Sequence, residues 1–174
     1  MPKKSFIIRQ ANEQDKDIIW GILEHAIQKR KLDGSNQWQD GYPNLDVISR
    51  DIGKNAGYVL CEENQVIGYC AIFNSEEPEY EKIEGKWLSY ESFLVFHRVA
   101  IAKTHLGKGL AQYLIKHIEK IADQMNIYSI KADTNFDNYA MLKIFKNLGY
   151  TYCGEVTFRG SKRKAFEKLL KRVN

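Results

Sequence analysis

Hydrophobic residues recur at two different spacings along the chain. Where they recur every three to four residues they fall on one face of a helix, so this spacing predicts amphipathic helices. Asn12 is suited to cap the first helix, and Gly149 to close the last. The predicted helices are Ile18–Leu32, Leu45–Ile52, Leu110–Met125 and Asn138–Leu148.

Shorter runs rich in β-branched and aromatic residues predict strands. The polar stretch Asn74–Gly85 is predicted to be a loop, and Gly160 a hairpin turn. Early hairpins followed by strands that alternate with helices predict an α/β (α+β) domain with a mixed central sheet of about six to seven strands flanked by helices. The predicted strands are Phe6–Ile8, Tyr58–Cys61, Val66–Phe73, Phe93–Ile101, Ile127–Thr134, Tyr150–Phe158 and Lys164–Leu170.

Length and charge narrow the class of protein only slightly. The 174 residues fit a single domain spanning residues 1–174. The formal net charge is +4, but 22 acidic residues are interspersed with 26 basic ones, so charge alone indicates no partner. The basic run Lys162–Arg172 is interpreted as a solvated strand and tail in preference to a nucleic-acid surface.

Cysteine content and hydropathy bear on compartment and metal binding. Three cysteines without paired spacing predict neither a disulfide framework nor a metal site. Residues 1–10 lack the apolar run of a signal peptide, and no segment approaches the ~18 apolar residues of a membrane span. The expectation is therefore a cytoplasmic protein without membrane association.

A glycine-containing loop joins a predicted strand to a predicted helix between Phe96 and Met125. The first N–H groups of a helix have no partner within it and can receive phosphate oxygens. Gly107 and Gly109 leave this backbone open, and Lys108 adds positive charge; a plain connector is the alternative. A nucleotide P-loop requires a lysine followed by Ser or Thr, but Lys108 is followed by Gly109. The dinucleotide fingerprint requires three clustered glycines, and this pattern is also not present.

The strand and loop from His97 to Ala111 resemble the central motif of the GCN5-related N-acetyltransferase (GNAT) superfamily. That motif runs Gln or Arg, two residues, Gly, one residue, then Gly or Ala. Gly109 and Ala111 match its last two fixed positions, whereas Leu106 stands where Gln or Arg is usual. The segment Asn138–Tyr150 is similar to the family's later helix, which carries Asn and ends in Gly and an aromatic residue.

The resemblance extends over nearly the whole chain. Residues within Asp33–Pro43, together with Asp133–Asp137 and Tyr152–Gly154, are similar to those of a bacterial subgroup of this family. Membership implies the GNAT fold, in which the two central strands splay apart and leave a gap where the thioester and the amine meet.

The resemblance implies acetyl-coenzyme A as cosubstrate and no metal. Val99, Ala100 and Ile101 match the strand whose backbone pairs with the pantetheine arm, and Asn138 matches a side chain that contacts this arm. Phe145 stands about two helical turns after Asn138, facing the cofactor, where many relatives carry a tyrosine that protonates the leaving thiolate. The residues that match the pyrophosphate loop are Leu106, Gly107, Lys108, Gly109, Leu110, Ala111 and Gln112.

The implied reaction needs a group that removes a proton from the substrate ammonium. Asp133 and Glu91 are the predicted catalytic bases. The alternative for Asp133 is a cap of the following helix, and for Glu91 an exposed charge at the end of a strand.

Two aromatic residues, Trp38 and Tyr42, lie where the family pattern places the acceptor substrate. The alternative is that they cap the core. His97, Arg98 and His105 are expected to have only a surface role on strand and loop.

The predicted function is transfer of an acetyl group from acetyl-coenzyme A to a primary amine of a small molecule or protein. The alternative is an acyl-coenzyme A-binding sensor or interaction module without catalysis, which the departures at Leu106 and Phe145 motivate. A nucleic-acid partner is not expected. The sequence leaves the acceptor and the oligomeric state, a homodimer among the alternatives, undecided.

Overall fold

The computed structural model describes residues 5–172, so Met1–Lys4 of the N-terminal segment considered above lie outside the described residues. The four predicted helices are present, with bounds shifted by a few residues. They are α1 (Lys16–Leu32), α2 (Leu45–Gly53), α3 (Leu110–Gln124) and α4 (Tyr139–Leu148). The strands are β1 (Phe6–Gln10), β2 (Gly57–Glu62), β3 (Gln65–Asn74), β4 (Glu84–Gly85), β5 (Leu94–Ile101), β6 (Ser129–Thr134), β7 (Thr151–Phe158) and β8 (Ser161–Leu169).

Within residues 5–172 the strands form an eight-stranded sheet in the order β1-β2-β3-β5-β6-β8-β7-β4. The sheet is mixed, because β5 and β6 run parallel while β6 and β8 run antiparallel. This confirms the predicted mixed α/β architecture, but the predicted count of about six to seven strands is too low. The segment Asn74–Gly85, predicted to be a loop, contains β4, and two residues are too few to show an alternating pattern.

The described residues divide into two compact units. The first contains the residues up to Ile72 together with Arg98–Leu114, and the second contains Phe73–His97 and the residues from Ile115 onward. The helices of the first unit begin at polar caps: Asn12 and Asp15 form a capping box before α1, and Asn44 accepts a hydrogen bond from Val47 N before α2. Its core consists of Ala11, Ile19, Ile22, Leu23, Ile48, Ile52, Val59, Cys61, Val66, Tyr69 and Ala100.

The second unit contains the remaining strands, α4 and the part of α3 from Ile115 onward. β8 pairs along its length with both β6 and β7, and β4 pairs with β7. α4 is capped by Asn138 and ends at Gly149, which adopts the left-handed conformation typical of a helix C-terminus. A core cluster here consists of Tyr80, Trp87, Val95, Cys153, Val156 and Ala165.

Strand β5 contributes to both units. Within the second unit its ladder with β6 joins Leu94 to Ile130 and Val95 to Lys131, and the implied splay of the two strands stays a prediction. Arg98 has a φ angle of 59°, in the left-handed region that side-chain-bearing residues rarely adopt. The alternation of side chains between the two faces of this strand is therefore interrupted at Arg98.

No helix in the described part of the chain combines the length and the apolar content that crossing a membrane requires.

Candidate active site

The loop before α3 has the geometry of an anion cradle. Gly107 and Gly109 have φ angles of 75° and 74°. An added Cβ at either position would have no other heavy atom within 4 Å, so the space beside the backbone is open. α3 begins immediately afterwards at Leu110. Its first N–H groups have no intrahelical partner, and together with the exposed Lys108 they fit the pyrophosphate of coenzyme A.

The end of β5 packs closely against β3 within the first unit. Ala100 and Ile101 are buried, whereas Val99 is half-buried. A Cβ at Gly68 of β3 would lie 2.9 Å from Ile101 Cδ1, so a larger residue there would require the Ile101 side chain to shift. The backbone of Ala102 donates a hydrogen bond to Ile67 O at 2.8 Å, which fixes the end of the strand before the loop.

The side chain of Arg98 lies in a buried network, here called the Arg98 cluster, formed with Tyr42, Asp51 and Tyr69. Arg98 Nε and Nη2 donate to the two oxygens of Asp51 at 2.9 and 2.6 Å. Tyr69 Oη donates to Asp51 Oδ2 at 2.5 Å, and Arg98 Nη1 donates to the Tyr42 hydroxyl. The side chains of Arg98 and Asp51 are only 7% and 3% exposed, so the charges neutralise each other inside the fold.

The two aromatic residues predicted to meet the acceptor lie in the same unit. Trp38 packs against the core cluster of this unit and has a φ angle of 61°. Tyr42 is half-buried and tied to Arg98 by its hydroxyl group. A role for either residue in acceptor binding stays a prediction.

Asp133 lies in the second unit, in a group of polar residues here called the His97 cluster. Its members are Glu77, Tyr80, His97, Asp133 and Arg163. Tyr80 Oη donates to Asp133 Oδ2 at 2.7 Å, and Arg163 Nη1 lies 3.5 Å from Asp133 Oδ1. The Asp133 side chain is 1% exposed. Burial, reinforced by Asp133, raises the pKa of Tyr80 well above its ordinary value, so the phenol keeps its proton.

The same cluster contains a carboxylate–imidazole pair. Glu77 Oε2 and His97 Nε2 are in hydrogen-bond contact, and the two side chains are 11% and 15% exposed. His97 Nδ1 lies 3.9 Å from Asp133 Oδ2. Burial raises the pKa of Glu77, while the hydrogen bond from His97 opposes the rise.

The second predicted base, Glu91, has a different environment. It forms an ion pair with Arg172 at 2.8 Å, and the two side chains are 70% and 62% exposed. Because solvent screens such a pair, the attraction between the two side chains contributes little. Its catalytic role stays a prediction.

Asn138 and Phe145 also lie in the second unit. The Asn138 side-chain oxygen accepts a hydrogen bond from Met141 N at 3.2 Å and so caps α4. Phe145 is 0% exposed and packs against the rings of Phe96, Tyr150 and Phe166. The cofactor contacts implied for these two residues stay predictions.

The pairing of Glu77 with His97 was missed by sequence reasoning, which gave His97 only a surface role. Glu77 lies in the segment predicted to be a loop, just before the short 3-10 helix Pro78–Lys82. That turn brings Glu77 and Tyr80 to the cluster. The only feature of the sequence that pointed to this site was a histidine within an apolar strand, and that feature did not indicate which residue it would pair with.

Comparison with known proteins assigns the chain to a family. Residues 23–150 match the model of the Acetyltransferase (GNAT) family. A GNAT family acetyltransferase from Streptococcus agalactiae is 34% identical, covers 96% of each chain and superposes with a TM-score of 0.89. The L-methionine sulfoximine/L-methionine sulfone acetyltransferase of Salmonella typhimurium is 25% identical over 160 residues, covering 89% of this chain and 85% of that protein.

A more distant similarity concerns the fold alone. A protein from Salmonella typhimurium whose structure contains acetyl-CoA as its cofactor is 17% identical and superposes with a TM-score of 0.69 over 98% of this chain and 96% of its own.

The chain therefore belongs to the GNAT acetyltransferase family. Acetyl transfer is its general chemistry. Binding of the acetyl donor at the glycine loop before α3 stays a prediction.

Proposed function

We propose that the protein transfers the acetyl group of acetyl-coenzyme A to the nitrogen of a primary amine on a small molecule or protein. The observation that carries the proposal is the open glycine loop before α3, within a chain that matches the acetyltransferase family over residues 23–150. A small amino-acid-like acceptor has additional support, because the Salmonella typhimurium relative is named for methionine sulfoximine and methionine sulfone.

The proposed cofactor site combines backbone and side-chain groups of the first unit. The N–H groups from Gly107 to Gln112 would hold the pyrophosphate, with Lys108 adding charge. The backbone of Val99–Ile101 would pair with the pantetheine arm, as the family resemblance implies. A backbone N–H near Ile101 would stabilise the oxyanion without reorganisation.

The proton balance of the reaction requires a base. A protonated amine must lose one proton before its lone pair can attack the thioester carbonyl. Of the two predicted bases, Asp133 lies in the buried His97 cluster and Glu91 in an exposed ion pair. We place the proton acceptor in the His97 cluster, because buried and closely spaced titratable groups are the ones an enzyme can tune.

The cofactor cradle is tested by Gly109→Glu. The new carboxylate would place bulk and negative charge where the pyrophosphate binds, so calorimetry should detect no binding of coenzyme A. Gly160→Glu is a matched control, because Gly160 in the β7–β8 turn also has a φ of 74° and open space around its Cα. Unchanged affinity of the Gly109 variant, or an equal loss in the Gly160 variant, would refute the cradle.

The amine acceptor is tested by thiol release from acetyl-coenzyme A across a panel of primary amines that includes methionine sulfone. Amine-dependent release and recovery of the N-acetylated product are expected. Tight cofactor binding without turnover on any amine would instead identify the protein as an acyl-coenzyme A-binding module, the alternative that Leu106 and Phe145 motivate.

A further inference from the structure

The two nitrogens of His97 have different surroundings. Nε2 is in hydrogen-bond contact with Glu77 Oε2, whereas Nδ1 lies 3.9 Å from Asp133 Oδ2, beyond hydrogen-bond distance. An ionised carboxylate only accepts, so Glu77 holds the hydrogen of the neutral imidazole on Nε2. The lone pair is thereby left on Nδ1, the nitrogen free to take up a proton.

Asp133 itself is poorly suited to receive a proton directly. Its side chain is 1% exposed, Tyr80 Oη donates to Oδ2 at 2.7 Å, and Arg163 Nη1 lies 3.5 Å from Oδ1. His97, at 15% exposure, is more accessible than Asp133 in the same cluster. A carboxylate held near the imidazole stabilises the imidazolium once that forms, so Asp133 can act through His97.

We propose that His97, oriented by Glu77 and supported by Asp133, is the catalytic residue that takes the proton from the acceptor amine. This assignment rests on the proposed function and specifies its base. His97 Nδ1 accepts one proton from the ammonium group. The neutral nitrogen forms the C–N bond, the C–S bond breaks, and the sulfur leaves with its electron pair. The remaining proton on nitrogen goes to the thiolate, and the imidazolium returns its proton to solvent.

The pH response of the pair depends on every charged group around it. Glu77 directly precedes the 3-10 helix that contains Glu79 and Tyr80, Asp133 is on β6, and Arg163 is on β8. Burial raises the pKa of Glu77, and a hydrogen bond with Glu79 and the charge of Asp133 add to the rise against the effect of His97. Glu77 therefore loses its charge at a higher pH than an ordinary carboxyl group as the solution is acidified.

The test is thiol release by wild type and His97→Gln over a range of pH, with and without the amine. His97→Gln should lower kcat by about 10²–10⁴-fold near neutrality while leaving the Kd for acetyl-coenzyme A unchanged. The defect should shrink at high pH, where the amine is already neutral. In His97→Ala, added imidazole should restore part of the rate, which a purely structural role would not allow. Glu77→Gln should lower kcat less than His97→Gln does, and it should alter the acidic limb of the pH–rate profile.

A second histidine–glutamate pair, which lies in the first unit, serves as the control for His97 and Glu77. His105 Nε2 lies 3.0 Å from Glu62 Oε2, and the two side chains are 10% and 16% exposed, close to the values for His97 and Glu77. His105→Gln should retain the wild-type shape of the pH–rate profile. If His97→Gln also retains it, or if its defect is equal at all pH values and imidazole gives no rescue, the assignment is overturned.

The reaction of acetyl-coenzyme A with water separates this assignment from the proposed acceptor. If wild type acetylates no amine but its slow thiol release into water still depends on His97, the amine proposal fails, and His97 stands as the base with water as the nucleophile. If an amine is acetylated equally well without His97, the base assignment fails and the proposed function stands. Bound acetyl-coenzyme A that releases no thiol under either condition would overturn both.

Discussion

Two neighbouring residues of β5, His97 and Arg98, anchor polar clusters of opposite character. In the Arg98 cluster a fixed positive charge meets a carboxylate in a two-point contact, with both side chains under a tenth exposed. In the His97 cluster the cation forms only when the imidazole takes up a proton, and Glu77 and His97 keep 11% and 15% of their surface in solvent. The first arrangement holds the chain, and the second is able to exchange protons.

The difference lies in the chemistry of the cation. A guanidinium stays protonated at all physiological pH values, so its pairing with Asp51 cannot respond to a substrate. It can instead hold β5 at the residue with left-handed backbone and keep Tyr42 beside it. An imidazole changes charge near neutrality, which suits it to proton transfer. Buried polar groups are thus divided between structure and chemistry at adjacent positions of one strand.

The largest expected effect is the loss of the buried ion pair. Asp51→Ala removes the carboxylate that neutralises the buried Arg98 guanidinium, and should lower the free energy of unfolding by about 3–5 kcal/mol. Denaturant unfolding measures this change. Glu91→Ala, which removes an exposed pair with Arg172, should change stability by no more than about 0.5 kcal/mol. Equal effects of the two substitutions would contradict a structural role for the Arg98 cluster.

An intermediate effect is expected from the two tyrosines that donate to buried carboxylates. Tyr69→Phe removes a hydrogen bond to Asp51, and Tyr80→Phe removes one to Asp133. Each should cost about 1.5–3 kcal/mol of unfolding free energy, because the acceptor is charged. Only Tyr80→Phe should also change the pH–rate profile, since Asp133 adjoins His97. A shifted profile in Tyr69→Phe would mean that the clusters are not functionally separate.

The smallest expected effect is on how the free energy of unfolding changes with pH, and it should have opposite signs for Glu77 and Asp15. The pKa of Glu77 is raised by burial, so its contribution to stability is present at low pH and is lost as pH rises through the folded-state value. Glu77→Gln should therefore gain stability relative to wild type as pH increases. The pKa of Asp15 is lowered by its hydrogen bond with Arg9, so its contribution is present at neutral pH and lost on acidification.

Asp15→Asn should accordingly be less stable than wild type near neutrality, and the difference should close in acid. Urea unfolding at several pH values measures both variants. If Glu77→Gln instead becomes less stable with rising pH, the carboxylate is better stabilised in the fold than its burial implies.

Local features of the chain were predicted well because their causes are local. The four helices follow from hydrophobic spacing, and Asn138 and Gly149 occupy the ends of α4 that their residue types suggest. Asn12 caps the 3-10 turn Glu13–Asp15 that leads into α1. The short strand β4 was missed because two residues carry no periodicity. The left-handed conformation of Arg98 was also missed, because nothing in its residue type calls for it.

By itself the sequence determined the order of helices and strands, the open glycine loop before α3 and the resemblance to the acetyltransferase family, all of which are encoded in neighbouring residues. Only the tertiary structure decided which polar groups meet. Glu77 and His97 are 20 residues apart, Arg98 and Asp51 are 47 apart, and Tyr80 and Asp133 are 53 apart. Such partners are selected by strand pairing and burial, which hydrophobic periodicity does not specify.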